Sequence, residues 1–202
     1  SPTAGSFTRT NVTLNFTPQY FNSTYVNCTY NIDGTEFIMG NTTNGTANLT
    51  YTITTDGVHA LTASCHHLYN ADGGNNEQNR TSESITFTAD GTPPQYSNNV
   101  SQYPASYGDA TAIWLNATWT DNVAVSQVLI ELDGTNYTPT TDGNVRFIKR
   151  DSIAAGLHWW ITYANDTAGN FNATTNQTFT IAKAPVALTL EANGSTTNQT
   201  FE

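Results

Sequence analysis

Asparagine, cysteine, aspartate and histidine are the residues whose spacing could do chemistry in this chain of 202 residues. Asparagine dominates. In Asn-X-Ser/Thr the side-chain amide nitrogen is an acceptor for an N-linked glycan when X is not proline. Such sequons begin at Asn11, Asn15, Asn22, Asn27, Asn41, Asn44, Asn48 and Asn79 in the first half. The others begin at Asn99, Asn116, Asn136, Asn165, Asn172, Asn176, Asn193 and Asn198. About two thirds of the asparagines carry the motif, whereas the serine and threonine content alone would give roughly a quarter. Dense N-glycosylation is therefore expected, over the plainer alternative of Thr- and Asn-rich strands with polar outer faces. Not every site can be filled. Asn41, Asn44 and Asn48 crowd one another, and Asn27 precedes a cysteine.

The two cysteines, Cys28 and Cys65, both sit in strand-like stretches, where a pair of buried thiols is the bland alternative. A disulfide is favoured because the rest of the chain has extracellular character, and that compartment preserves such bonds. It would close a loop of a few dozen residues and contribute about 3–4 kcal/mol on the chain-entropy model.

The remaining titratable groups suggest little catalysis. No Ser-His-Asp or Cys-His arrangement is suggested by spacing, and the carboxylates are scattered rather than paired. His66 and His67 are adjacent on a strand, so they point to opposite faces and make a poor chelating pair. Asp90, Asp121 and Asp166 fall near domain ends, where calcium would find carboxylate and carbonyl oxygens. Their simpler role is to cap turns through side-chain to backbone hydrogen bonds. No metal and no cofactor other than covalent glycans is expected. A lysine–asparagine crosslink through Lys149 or Lys183 is a minor alternative. Trp114 and the Trp159/Trp160 pair are the residues to suspect in sugar binding, since aromatic faces stack on sugars.

These groups lie in an internal repeat. Gly57-Val-His59-Ala-Leu-Thr lines up with Gly156-Leu-His158-Trp-Trp-Ile, and Asp72-Gly-Gly-Asn75 with Asp166-Thr-Ala-Gly-Asn170. Thr86-Phe-Thr88 matches Thr178-Phe-Thr180, Ile32-Asp-Gly-Thr35 matches Leu132-Asp-Gly-Thr135, and Val12-Thr-Leu-Asn15 matches Ile113-Trp-Leu-Asn116. All lie at a spacing near one hundred residues, which is one whole domain rather than a solenoid unit. His59 and His158 are equivalent and so read as structural. Cys28 and Cys65 correspond to Val128 and Ala164, so the disulfide is reinforcement rather than a requirement of the fold.

Strands are expected over 11–17, 24–33, 48–53, 57–66 and 83–89 of the first copy, separated by Asp33-Gly34, Asn44-Gly45, Asp56-Gly57 and a long 70–79 loop. In the second copy Ile113, Leu115, Ala117 and Trp119 face inward while Trp114, Asn116 and Thr118 face outward. That alternation belongs to a sheet with one buried and one solvated face. Several short strands with turn signals in about 90 residues argue for an antiparallel sandwich of immunoglobulin type. The expected fold class is thus all-β: two tandem Ig-like antiparallel β-sandwiches, 1–90 and 91–184, with a C-terminal extra strand segment, 185–202. The proline-containing joint Asp90-Gly-Thr-Pro-Pro94 is short and stiff, favouring domains set end to end. In the tail, Val186, Leu188 and Leu190 alternate with smaller or polar residues. It either opens a further repeat or is a strand that completes a neighbour's sheet.

The formal charge of −10, with only six Lys plus Arg, argues against nucleic acid, which needs a basic stripe. No apolar run of about 18 residues exists to span a bilayer. No secretory leader is visible at Ser1-Pro-Thr, and the expectation is of one already removed.

Ala164-Asn-Asp-Thr-Ala-Gly-Asn170, Asp121-Asn-Val-Ala-Val125 and the Asp90-Gly-Thr-Pro-Pro94 joint resemble the tandem Ig-like repeats of prokaryotic surface proteins. The Asn/Thr richness, with Leu157-His-Trp-Trp160, is most similar to archaeal ones. The resemblance covers nearly the whole chain and implies a cell-surface location, with roles ranging over stalks, adhesins, surface layers and filaments. The two-domain layout and alternating tail are similar to those of heavily glycosylated archaeal filaments, thread filaments among them, whose subunits are joined by donor strands. The expected function is that of a non-enzymatic extracellular structural protein: a glycosylated subunit of a filament, sheath or stalk whose partners are copies of itself. An adhesin or carbohydrate-binding module that recognises surface glycans is the alternative.

Overall fold

The computed structural model describes residues 7–8, 11–16, 26–42, 47–67, 79–81, 84–104, 112–192 and 195–201. Two compact units are present: Ser1–Pro93 with Thr167–Asn170, and Pro94–Asp166 with Phe171–Glu202. The first carries strands β1 (Phe7–Thr8), β2 (Asn11–Phe16), β3 (Val26–Ile32), β4 (Thr35–Thr42), β5 (Ala47–Thr52), β6 (Gly57–His67), β7 (Asn79–Thr81) and β8 (Ile85–Ala89). The second carries β9 (Gln95–Gln102), β10 (Ala112–Thr120), β11 (Val125–Leu132), β12 (Thr135–Tyr137), β13 (Thr140–Asp142) and β14 (Val145–Asp151). It continues with β15 (Gly156–Asp166), β16 (Phe171–Ala173), β17 (Gln177–Ile181), β18 (Val186–Ala192) and β19 (Ser195–Phe201). No helix among the described residues is long and apolar enough to cross a membrane.

The repeat read from the sequence is a repeat of topology. In the first unit β8-β6-β3-β4 lie side by side with β7 also on β6, and in the second β17-β15-β11-β12 do so with β16 also on β15. The same Asp-Gly pair turns the chain in both. Asp33 and Gly34 join β3 to β4 with φ of 53° and 88°, and Asp133 and Gly134 join β11 to β12 with 49° and 82°. Two successive left-handed residues make the tight turn whose twist matches the flanking strands, and Asp and Gly tolerate that conformation best. The opposing sheet of the second unit has the order β13-β14-β10-β9, and in the first unit β2 pairs with β5.

Strand β10 alternates as expected, with Ile113, Leu115, Ala117 and Trp119 fully buried. Ile113 and Leu115, together with Ile148 of β14, pack against Ile130, Leu132, Trp160, Phe179 and Ile181 of the facing sheet. This is the core of a β-sandwich, in which inner faces interdigitate. A hydrogen-bonded relay crosses it. Trp119 Nε1 donates to Thr162 Oγ1 at 3.1 Å, and the Thr162 amide donates to Thr174 Oγ1 at 2.9 Å. In the first unit Tyr30, Ile32, Ile53, Leu61, Phe87 and Ala89 form the corresponding buried cluster.

Cys28 and Cys65 are bonded, and they are direct register partners on β3 and β6. Val128 and Ala164 are direct partners on β11 and β15, where they pack with Ala117 and Trp119. One copy thus closes a cross-strand position covalently and the other by apolar packing, as the alignment of the two copies requires.

Strands β4, β7 and β9 are among the additions to the sequence expectation. Strand β9 is exposed along most of its length and shows little burial alternation, which is why its residues did not read as a strand. The C-terminal segment folds as a hairpin of its own, a two-stranded sheet in which Val186, Leu188 and Leu190 pair with Phe201, Gln199 and Thr197.

Candidate functional site

The chemistry-bearing asparagines fall into distinct settings. Asn116 sits mid-strand on the outward side of β10, with Phe147 of β14 opposite it on one side and Val100 of β9 on the other. Trp114, two residues earlier on the same face, is 39 % exposed, and its ring lies 5.7 Å from that of Phe147. Lys149 places its ammonium 5.7 Å from the centre of the Trp114 ring and 3.7 Å from Asp151. The Asn116 amide is therefore set among large, partly exposed apolar groups.

Asn165 repeats the arrangement on the facing sheet. It is half-buried on β15, and its register partners are Gln127 of β11 and Phe171 of β16. Tyr163, two residues earlier, stacks on Phe171 with ring centres 6.1 Å apart, and Phe171 is 61 % exposed. The Tyr163 hydroxyl donates to Glu131 Oε2 at 2.7 Å, a bond that holds the ring in place and raises the phenol's pKa.

The other sequons are plainer. Asn136 on β12 and Asn176 before β17 are exposed. Asn172 is engaged: its Nδ2 donates to the Pro94 carbonyl at 2.7 Å and its Oδ1 accepts from the Ala173 amide at 2.8 Å. Asn99 follows Asn98, whose φ is 49°, at an irregularity in the β9–β10 register. Both amide atoms of Asn99 are buried there without a hydrogen bond, so attachment of a sugar requires the side chain to turn outward. Asn15 and Asn48 are register partners on β2 and β5, as are Asn27 and Asn41 on β3 and β4. Asn11 lies on β2, Asn79 on β7 and Asn198 on β19. Asn22, Asn44 and Asn193 lie outside the described residues.

Asp121 and Asp90 cap turns, and in the second unit two carboxylates stand close together. Asp121 Oδ1 accepts from the amides of Val123 and Ala124, both at 2.9 Å, and this fixes the turn into β11. Its Oδ2 is buried and accepts no hydrogen bond. Within the second unit the carboxylates of Asp121 and Asp166 come within 4.8 Å of one another. In the first unit Asp90 is fully buried, and its Oδ1 accepts from the Thr92 amide at 3.1 Å.

Both equivalent histidines are structural, with a role that spacing could not reveal. His158 Nδ1 lies 2.7 Å from Asp133 Oδ2, and Nε2 lies 2.8 Å from the Ala154 carbonyl oxygen. His59 repeats this with Asp33 at 2.6 Å and the Thr55 carbonyl at 2.9 Å. The other oxygen of each aspartate accepts a backbone amide, from Trp159 at 3.0 Å and from Ala60 at 2.8 Å. Each Asp-Gly turn is thereby latched to the strand beside it.

Of the tryptophans suspected in sugar binding, Trp160 is in the core and Trp159 is half-buried, which leaves Trp114 as the accessible one. An open groove of about 200 Å³ runs past Val125, Gln127, Pro139 and Arg146. The Arg146 guanidinium donates to the carbonyls of Gly143 and Val145.

Two-sheet packing, Asp-Gly hairpins and a repeated strand order define tandem modules of the immunoglobulin and fibronectin-III-like class. No family model matches the chain. No curated protein matches it either. Solved structures do. A D1–D4 ectodomain fragment of ICAM-5 is similar at 16 % identity and a TM-score of 0.50, over 92 % of this chain and 54 % of that one. The fibronectin(III)-like modules of Clostridium thermocellum CbhA are similar at 16 % identity and a TM-score of 0.44, over 91 % and 92 % of the two chains. This chain spans about half of the ICAM-5 fragment, and at such identity the likeness is one of fold.

Proposed function

We propose that this chain is a non-enzymatic structural module of the cell exterior, an N-glycosylated Ig-like repeat subunit of a filament, sheath or stalk. The observation that carries this reading is Asn116. It is a sequon asparagine at the centre of an outward sheet face whose reverse side is the sandwich core. Sugar there covers solvated surface and shields it from proteases and unwanted pairing without disturbing packing. The disulfide supports an oxidising location. The C-terminal hairpin supports assembly by strand donation. A lone two-stranded sheet is marginal in water, and Val186 is 70 % exposed. Adding β18 to the sheet edge of another copy would complete both.

The test is electron microscopy of the glycosylated protein beside a variant lacking residues 186–202. Ordered polymers that vanish on deletion, with both sandwiches still folded, are expected. A monodisperse glycoprotein at polymer-forming concentrations would overturn the assembly reading. The exposed Trp114 favours one second reading, carbohydrate binding in the manner of an adhesin, which a glycan array with wild type and Trp114→Ala decides.

A further inference from the structure

Two stretches, one entered from β10 and one from β15, share a construction that neither strand formation nor core packing requires. Trp114-Leu-Asn116-Ala-Thr118 and Tyr163-Ala-Asn165-Asp-Thr167 each put an aromatic residue two places before a sequon asparagine. Because strand side chains alternate, the aromatic and the asparagine share a face. A second aromatic then stands directly across from the asparagine: Phe147 for Asn116 and Phe171 for Asn165. The two rings of each pair are in contact, at 5.7 and 6.1 Å between centres. They lie on opposite sheets of one sandwich, so a single local cause does not produce both. Asn136 lacks the arrangement, since its strand partner is Glu131.

We infer that each aromatic pair is a docking platform for the chain's own N-glycan, Trp114 and Phe147 for the sugar on Asn116, Tyr163 and Phe171 for the sugar on Asn165. The inference rests on the reading that these asparagines are glycosylated. On attachment, the asparagine Nδ2 bonds to the anomeric carbon of a lipid-linked oligosaccharide. The lipid phosphate leaves with the electron pair and the amide gives up one proton. The first sugar ring then begins one bond from Nδ2, beside the aromatic faces. Pyranose C–H groups carry partial positive charge and pack on the negative face of a π-system, as other electropositive groups do. The tether supplies a high effective concentration, so a weak contact suffices. The same contact explains why Phe171, 61 % exposed, and Trp114, 39 % exposed, stand on outward faces of a polar chain.

The test is a thermodynamic cycle on protein made in a glycosylating host. Thr167→Ala removes the Asn165 glycan without touching the platform, and Phe171→Ser removes half the platform without touching the sequon. Thr118→Ala and Phe147→Ser do the same at Asn116. Losing either glycan should lower Tm by about 2–4 °C in the wild type and by nearly nothing once the aromatic partner is gone. Proton NMR should show the first sugar's ring protons shifted upfield by the aromatic ring current, a signature that a merely structural role for the rings would not give. Occupied sites with additive Tm losses and unshifted sugar protons would overturn the platform while leaving glycosylation intact. Bare Asn116 and Asn165 in intact-glycopeptide mass spectra would overturn both. Oligosaccharide binding in trans by the unglycosylated chain, lost with Trp114→Ala, would replace the tethered sugar with a foreign one.

Discussion

Nδ1 of His158 lies 2.7 Å from Oδ2 of Asp133 while the opposite ring nitrogen faces the Ala154 carbonyl oxygen. A carbonyl can only accept, and an ionised carboxylate likewise, so both contacts are satisfied together when the ring is an imidazolium. Burial opposes that charge. The hydrogen bonds to Asp133 and Ala154, with the charge of Asp133, outweigh it and hold the His158 pKa above its ordinary value.

A pH dependence follows with a definite sign. A folded pKa raised above the unfolded one gives stability that is complete below about 6.5 and lost as pH climbs through the folded value. In the first unit the backbone amide of Ala60 and the ring of His59 overcome the opposing effect of burial and hold the Asp33 pKa below the usual carboxylate value. Its contribution is present above about 3.9 and lost as pH falls through the lowered value. Thermal melts should therefore show the alkaline decline reduced by His158→Gln and the acid decline reduced by Asp33→Asn. Unchanged profiles in both variants would remove the latches from the account of stability.

The disulfide should be dispensable for folding and not for stability. The second unit already shows what replaces it, since Val128 and Ala164 stand at the equivalent register positions. The double variant Cys28→Val with Cys65→Ala should fold and lose about 3–4 kcal/mol in denaturant unfolding of the first unit. The second unit's transition should not move. Failure to fold at 25 °C would mean that the first unit's core cannot stand without the bond.

Asp121 tests whether the carboxylates serve as caps or as ligands. Asparagine at this position keeps an oxygen for the amides of Val123 and Ala124 and removes the repulsion from Asp166, whose carboxylate is within 4.8 Å. Asp121→Asn should melt at or slightly above the wild type in EDTA, and Asp121→Ala should lose about 1 kcal/mol with the cap. Millimolar calcium should leave the wild-type Tm where EDTA leaves it. A calcium-dependent rise that Asp121→Asn lacks would make the pair a cation site instead.

Much of this was legible in the chain because it is carried by local pattern. The period-two burial of Ile113 to Trp119 and the Asp33-Gly34 and Asp133-Gly134 turns follow from neighbours in sequence, and the Cys28/Val128 correspondence follows from the repeat of those local patterns. Features set by tertiary register were not. The Asp133–His158 latch joins residues 25 apart in sequence, and nothing local marks either as the other's partner. The Trp119–Thr162–Thr174 relay is hidden in the same way. Strand β9 pairs at a sheet edge, so most of its residues stay exposed and little alternation betrays it. Asn99 carries a sequon like any other, yet a register irregularity turns its amide inward. The aromatic platforms were half visible. Trp114 and Asn116 share a strand, but only the pairing of β10 with β14 brings in Phe147.

Site-resolved intact-glycopeptide mass spectrometry of the protein from its native source bears most directly on the central claim, that sugar clothes the outward faces of these sandwiches. The expected result is high occupancy at Asn116, Asn136, Asn165 and Asn176, with Asn99 empty. Bare asparagines at those four positions would contradict it.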